Sequence, residues 1–242
     1  MTPLSRRSPE PSPAPVLHNA VLERLGIEIA QGIRPPGSVI TLAQLEGEIG
    51  VSRTVIREVV RILESMGMVE SRRRVGITVL PVAAWSVLDP QLIRWRLKGD
   101  ERLTQLHRLT EMRLALEPTA ARLAAHKAPA EVGLELLELA SRLRILGEAG
   151  QGHSRPYLET DIAFHALLLA ASGNDMIASL HGIVTEVLAG RTELGLLPEH
   201  PVAIAFDNHE AVARAIVDRD EDLAEQHARA VVMEVWQELS NQ

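Results

Sequence analysis

The sequence predicts a mainly α-helical chain in two parts, and three observations carry that prediction. Aromatic residues make up 2% of the chain, too few for the aromatic and β-branched packing of all-β cores. Leu, Ala and Glu dominate, a mix that favours helices. Clusters of Gly and Pro divide the chain into segments of helical apolar periodicity, with one short β-branched stretch as the exception. At 242 residues, 46% hydrophobic and 24% charged, the composition is that of a globular protein with one large or two modest domains. No run approaches the roughly 20 apolar residues a membrane span needs. The absence of Cys removes disulfides and thiolate metal sites, leaving His and carboxylates as the good metal ligands.

Residues 1–15 hold five Pro and three Ser without apolar periodicity, so a disordered tail is expected there. Between Val16 and about Gln31, Val21, Leu22, Leu25 and Ile29 share one helical face, and the stretch Gly32 to Gly37 breaks into a turn. Thr41 suits the N-cap of a short helix over 42–49, ended by Gly50. Ser52 suits the next cap, and Val55, Val59, Ile62, Leu63 and Met66 lie on one face of the helix that follows. Met68 to Glu70 and Gly76 to Leu80 flank Ser71-Arg72-Arg73-Arg74-Val75, which reads as a two-stranded hairpin with a basic tip. Three helices and then a hairpin is the order of a winged helix-turn-helix, assigned here to residues 16–80. Pro81 and Pro90 punctuate a linker over 81–100. Six helical segments follow, at about 101–126, 129–149, 156–172, 174–193, 203–218 and 220–239. Their short connections predict an all-α bundle of six or seven helices over 101–239.

Charge divides the chain in the same place. Residues 1–80 carry ten Arg against eight Glu, whereas residues 81–242 carry 15 basic against 24 acidic residues. A mildly basic first third on an acidic remainder points to different partners for the two parts. The net charge of −7 argues against nonspecific coating of nucleic acid.

The segment Gly50 to Glu58 has the sharpest chemistry. Ser52, Arg53 and Thr54 open a helix, where side chains and free backbone N–H groups can meet phosphates. Arg53 and Arg57 lie one turn apart on one face, and Arg is the side chain shaped for bidentate contact with guanine O6 and N7. Arg72, Arg73 and Arg74 at the hairpin tip can reach the backbone or the adjacent minor groove. By themselves, the same residues also describe a solvated basic helix and loop. Val51 to Glu58, followed by Leu63, Gly67-Met68-Val69 and Gly76-Ile77-Thr78-Val79, closely resembles the winged-helix domain of the GntR family of bacterial transcription regulators, over about residues 17–80. The resemblance implies that Ser52, Arg53, Thr54 and Arg57 contact operator DNA, with Arg73, Arg74 and Gly76 in the wing. Ala43 stands where the family commonly has Arg, and Ile77 where Gly usually precedes the Thr.

In the second part, Asp161 and His165 are four apart on a helix with Ile162, Phe164, Leu168 and Leu169, so a carboxylate and an imidazole share one face and can clasp one ion. His209 opens a helix with Val212, Ala213 and Ile216, and His227 lies on the last helix. Read singly, each His is equally a core or surface residue. The chain resembles the FCD effector domain of the FadR subfamily within GntR over about residues 104–236. The residues that carry this resemblance are Arg113-x-x-x-Glu117, Asp161-x-x-x-His165, Ser172-Gly173-Asn174, and His209 through Ala215-Ile216, Asp220 and Ala224. It implies an Asp and three His around a divalent ion that binds an effector carboxylate. Asp161, His165 and His209 match three of those positions. The fourth falls on Val231, with His227 one turn earlier, so a ligand from His227 requires the helix to slide by about 5 Å. Zn2+ is the expected ion because imidazole and carboxylate suit it, and Ni2+ or Mn2+ is compatible. Arg113 suits the effector carboxylate, or else an internal salt bridge to Glu117. Arg191, next to Thr192 at a helix end, is a second and weaker candidate for that carboxylate, and a surface charge that stabilises the helix dipole is the reading its position favours.

The segment from Trp85 to Trp95 looks like the connector of regulators that answer sugar acids, galactonate-type regulators among them, which implies a small hydroxylated carboxylate as effector. The expected protein is a homodimeric, ligand-responsive repressor of a sugar-acid or small organic acid catabolic operon, binding double-stranded operator DNA. The alternative is a metal-responsive regulator with no organic effector. No HExxH glutamate, nucleophile elbow or P-loop occurs, so an enzyme is not expected. Arg6-Arg7 is followed by Pro-rich polar sequence rather than the apolar core of an export signal, so a cytoplasmic location without membrane partners is expected.

Overall fold

A computed structural model describes residues 13–240, and its contacts divide the chain into two compact units that meet between Asp100 and Glu101. In the first unit, α1 (Pro13–Ala30) begins three residues before the expected start, and residues 1–12 of the expected tail lie outside the described residues. Val21, Leu22, Leu25 and Ile29 are buried, as their spacing predicts. α2 (Leu42–Ile49) starts with a capping box between Thr41 and Gln44 and ends at Gly50 in the left-handed conformation. α3 (Arg53–Ser65) is capped by Ser52 and buries Ile56, Val59, Val60 and Leu63. That buried face is rotated from the expected one: Ile56 and Val60 are fully inside, while Val55 and Ile62 are only partly buried.

The hairpin forms as β2 (Val69–Arg72) and β3 (Gly76–Val79), joined by Arg73, Arg74 and Val75. A third strand, β1 (Val39–Ile40), adds to β3 and gives an antiparallel sheet ordered β1-β3-β2. The register pairs Val39 with Thr78 and Val69 with Val79. Two residues are too few to leave a periodic signal, which is why β1 is invisible in the sequence. Gly67 links α3 to β2 at φ +69°, and a Cβ there would run into the Ala84 carbonyl.

The expected linker is not a free connector. It contains a 3-10 turn (Val82–Ala84) and α4 (Pro90–Leu97), which Asp89 caps and Pro90 starts. Trp95 of α4 is fully buried in the core of the first unit, and its ring packs on Gly26 of α1, where any Cβ would collide with it.

The second unit consists of α5 (Arg102–Lys127), α6 (Ala130–Glu148), α7 (Arg155–Ala171), α8 (Asp175–Ala178), α9 (His181–Glu193), α10 (Ala203–Val217) and α11 (Glu221–Ser240). The segment expected as one helix over 174–193 is split. Ser179 turns its hydroxyl back to the Met176 carbonyl, and the helix restarts at His181. α5 packs on α11, α10 on α6 and α11, and α7 on α5, α6 and α9. Small residues let these helices approach closely: Ala121, Ala124, Ala125, Ala140, Ala213 and Ala224 pack around Phe164, Leu136 and Val212. Gly147 of α6 lies where a Cβ would meet the Phe206 ring of α10.

Candidate functional site

In the first unit, α3 and the hairpin enclose a concave surface of about 690 Å3, lined by Arg53, Arg57, Arg61, Arg72, Arg73, Arg74 and Gly76 together with Thr41 and Ala43. Ser52 serves as the helix cap, its hydroxyl accepting from the Val55 amide at 3.5 Å, and Thr54 beside it is exposed. Arg53 is held by Glu46 of α2, Nη2 to Oε2 at 2.9 Å, yet its side chain remains 55% exposed. Arg61 and Arg72 pair with Glu58 and Glu70. Arg57, Arg73 and Arg74 are exposed and have no ion-pair partner among the described residues. Three guanidinium groups therefore face solvent without a carboxylate among the described residues to neutralise them, on a concavity that a helix and a hairpin share. Gly76 lines the same surface, and its glycine has a packing reason as well: at φ +121° a Cβ would press on the Ile40 carbonyl at 2.9 Å.

In the second unit, Asp161 and His165 of α7 meet His209 of α10, all three buried, with one ligand atom from each within 4.8 Å of the others. Asp161 Oδ1 is 3.4 Å from His165 Nε2 and 3.7 Å from His209 Nε2. Neighbouring ligands on a tetrahedral ion with bonds of about 2.0–2.1 Å stand roughly 3.3 Å apart, close to the two distances from Asp161. The opposite ring nitrogens are engaged from behind. His209 Nδ1 donates to the Ala205 carbonyl at 2.7 Å, leaving Nε2 free and without a hydrogen bond. His165 Nδ1 lies 2.8 Å from Glu117 Oε2, a close charge contact that is off the axis of a hydrogen bond. His165 Nε2 also has Arg113 Nη2 at 3.3 Å, whereas the carbonyl behind His209 with Nε2 in front is how a metal-ligating His is held. A buried orphan nitrogen of this kind calls for a partner, and an ion supplies one.

The triad opens on a cavity of about 80 Å3, also lined by Arg113, Tyr157, Arg191, Val231, Glu234 and Glu238. Arg113, only 1% exposed, makes the internal salt bridge to Glu117 and also lines the cavity. Its Nε donates to Glu117 Oε1 at 2.5 Å, while Nη1 is buried with no partner. Arg191 is not the surface charge: it is buried and lines the cavity, with Nη2 donating to Glu238 at 2.7 Å. His227 is also a departure. Its Nδ1 faces Asn208 Oδ1 at 3.4 Å, and the triad does not include it. Val231, one turn further along α11, lines the cavity wall instead.

The charges are strongly coupled. Burial alone would raise the Asp161 carboxyl, but His165 and His209 outweigh it and hold the group well below the usual carboxylate range. For Glu117, Arg113 and His165 overcome burial and bring the pKa to about 2. Burial and Arg113 oppose the charged form of His165, yet Glu117 and Asp161 prevail and push it to about 9.

Family models match both units: that of the bacterial regulatory proteins of the gntR family covers residues 17–79, and the FCD domain covers residues 108–233. The chain belongs to the GntR family. Its FCD domain places it with the FadR-like members, which are DNA-binding transcriptional regulators rather than enzymes. The HTH-type transcriptional regulator YieP of Escherichia coli K12 is 30% identical over 89% of this chain and 92% of its own length. The galactonate operon transcriptional repressor of the same organism is 30% identical over 86% of this chain and 90% of its own length. Among solved structures, Lar of Listeria monocytogenes shares the fold, with a TM-score of 0.59 at 15% identity over 97% of this chain and 99% of the other. No helix among the described residues is long and apolar enough to cross a membrane.

Within this GntR chain, sequence reasoning missed Tyr157 and Glu234 as cavity residues and offered Arg191 only as a second candidate behind Arg113. Each sits on a helix whose apolar spacing explains its neighbours, and no motif singles it out. Glu117 was visible only as a partner for Arg113, because its place behind His165 joins two helices 48 residues apart in sequence.

Proposed function

We propose that the protein is a homodimeric, cytoplasmic transcriptional repressor that releases its operator when a small hydroxylated carboxylate binds in the FCD bundle. The observation that carries this reading is the buried Asp161, His165 and His209 triad opening on a cavity also lined by Arg113, whose Nη1 is buried without a partner. A divalent ion there, with Zn2+ the best match to two imidazoles and a carboxylate, acts as a Lewis acid that anchors an effector carboxylate. Arg113 offers a second, charge-assisted donor to that carboxylate, and Glu234 and the Tyr157 hydroxyl are available to hydroxyl groups further along the ligand. At about 80 Å3 the cavity is well below the roughly 300–1,000 Å3 of sites for drug-sized ligands, which favours a short acid at the small end of the sugar-acid range. The 30% identity to the galactonate operon transcriptional repressor supports the repressor reading.

At the other end, Arg57 and Arg53 read base edges in the major groove while Arg73 and Arg74 hold the flanking backbone. Ser52 and Thr54 add phosphate contacts at the helix start, where the Gly76 backbone of the wing also approaches. A dimer places two such heads on half-sites about one helical turn apart.

The test is operator binding by fluorescence anisotropy, with short hydroxy acids and sugar acids added to metal-loaded and metal-free protein. Arg57→Ala should lose operator binding but keep a ligand-induced rise in melting temperature; Arg113→Ala should bind operator and lose the response to acid. Release by metal alone would transfer the signal to the ion, and release by no acid in the series would end the effector reading.

A further inference from the structure

α6 buries Gly133, Leu136, Ala140, Leu143 and Gly147 against its own unit. Its opposite face carries Leu134, Leu137, Glu138, Ser141, Arg142 and Ile145, which line one open groove. Leu134 and Ile145 are 53% and 67% exposed, and no other exposed large hydrophobic residue among those described lines this groove. Among the described residues, the two charges on this face lack the engagement that a neighbouring Arg has. Arg144, next door in sequence, is engaged by Glu148, Asp207 and Glu210. Glu138 and Arg142, although four apart on the same helix, make no ion pair or hydrogen bond among the described residues.

We propose that this face of α6 is the two-fold contact between two copies of the chain, with Leu134 packed on Ile145 and Glu138 paired with Arg142 across the axis. The proposal rests on the homodimer reading above and says where that dimer is made. A two-fold contact between antiparallel helices requires a pattern that maps onto itself. This one does. The midpoint of Leu134 and Ile145 and that of Glu138 and Arg142 differ by half a residue, about 0.75 Å along the axis at 1.5 Å per residue. One axis near Leu139–Ala140 therefore serves both pairs. At 100° per residue, Leu134 and Ile145 fall near the centre of the stripe, and Glu138 and Arg142 fall on the same flank of it. A two-fold perpendicular to the helices keeps each flank on its own side, so each Glu138 meets the other copy's Arg142. An unrelated partner would need no such palindrome. A single helix face offers less than the roughly 800 Å2 per partner of a standard interface, so the dimer is concentration-dependent and responds visibly to single charges.

Sedimentation velocity of the full chain across a dilution series tests the proposal. Glu138→Arg and Arg142→Glu each replace two opposite-charge contacts by two like-charge ones, and each should raise the dimer dissociation constant roughly tenfold. The double variant E138R/R142E should return it to within about twofold of the wild type. Leu134→Glu with Ile145→Glu should sediment as a monomer while keeping the helical circular dichroism and melting behaviour of the monomeric unit. A dimer untouched by every substitution overturns the α6 contact and leaves the homodimer reading standing. Single variants that weaken the dimer without mutual rescue overturn the pairing, and a wild type that is monomeric at all concentrations overturns both readings.

Discussion

Raising the pH should tighten metal binding, and His165 sets by how much. In the metal-free protein burial and Arg113 oppose the charge, but the Glu117 and Asp161 carboxylates together prevail and hold the imidazolium with a pKa of about 9. A metal ligand must be the neutral imidazole, so an incoming ion has to displace that proton. At about pH 7 the competition costs roughly a hundredfold in affinity, or about 3 kcal/mol. Apparent affinity should therefore climb about tenfold per pH unit between about pH 6.5 and 8.5, then level off above about 9. Calorimetric titration of Zn2+ into metal-free protein, in buffers of different ionisation heat, reads both the affinity and a release of about one proton per ion near pH 7. Folding responds with the opposite sign. The folded pKa of about 9 lies above the ordinary 6.5, so this group's contribution to metal-free stability is complete below about pH 6.5 and is lost as the pH rises through 9. An affinity that stays flat across the window, with no proton released, would refute the assignment of the Glu117 charge to the back of His165.

Two further substitutions separate the roles drawn from the structure. His227→Ala should leave the metal stoichiometry and affinity within about twofold, because its ring faces Asn208, whereas His209→Ala should abolish tight binding; metal analysis after dialysis distinguishes them, and equal losses in both would put His227 back in the site. Gly67→Ala should destabilise the first unit by about 2–4 kcal/mol, since a left-handed residue and a collision with the Ala84 carbonyl act together; denaturant unfolding followed by circular dichroism gives the value, and a loss below about 0.5 kcal/mol would show that the 67–84 contact yields easily.

Much of the fold was legible because the signals are local. The Thr41 and Ser52 caps, the Gly50 stop and the apolar spacing of Val21 to Ile29 each act within one or two turns of chain, and the structure places each of them as its chemistry requires. The faults are where local signals are short or ambiguous. β1 spans two residues, the break at Ser179 interrupts an unbroken helical composition, and α4 lay hidden between Pro81 and the long helices because its apolar residues fit a linker equally well. Trp95 shows the difference: nothing in its neighbourhood says that its ring fills the space left by Gly26, about 70 residues earlier.

The candidate site divides in the same way. Spacing of four put Asp161 and His165 on one face of α7, and helix periodicity alone determines that much. It also determined that Arg53 and Arg57 share a face of α3. Which of these groups is free and which is engaged was decided by tertiary packing: Arg53 is held by Glu46 while Arg57 is open, His209 arrives from α10, and Val231 rather than His227 faces the cavity. The physical reason is range. A helix fixes the direction of a side chain within about one residue along its own axis, but the rotation and offset of one helix against another depend on close packing over the whole interface. Small residues such as Gly147 and Ala213 set those offsets, and they carry no chemical label that a reading of the chain could use.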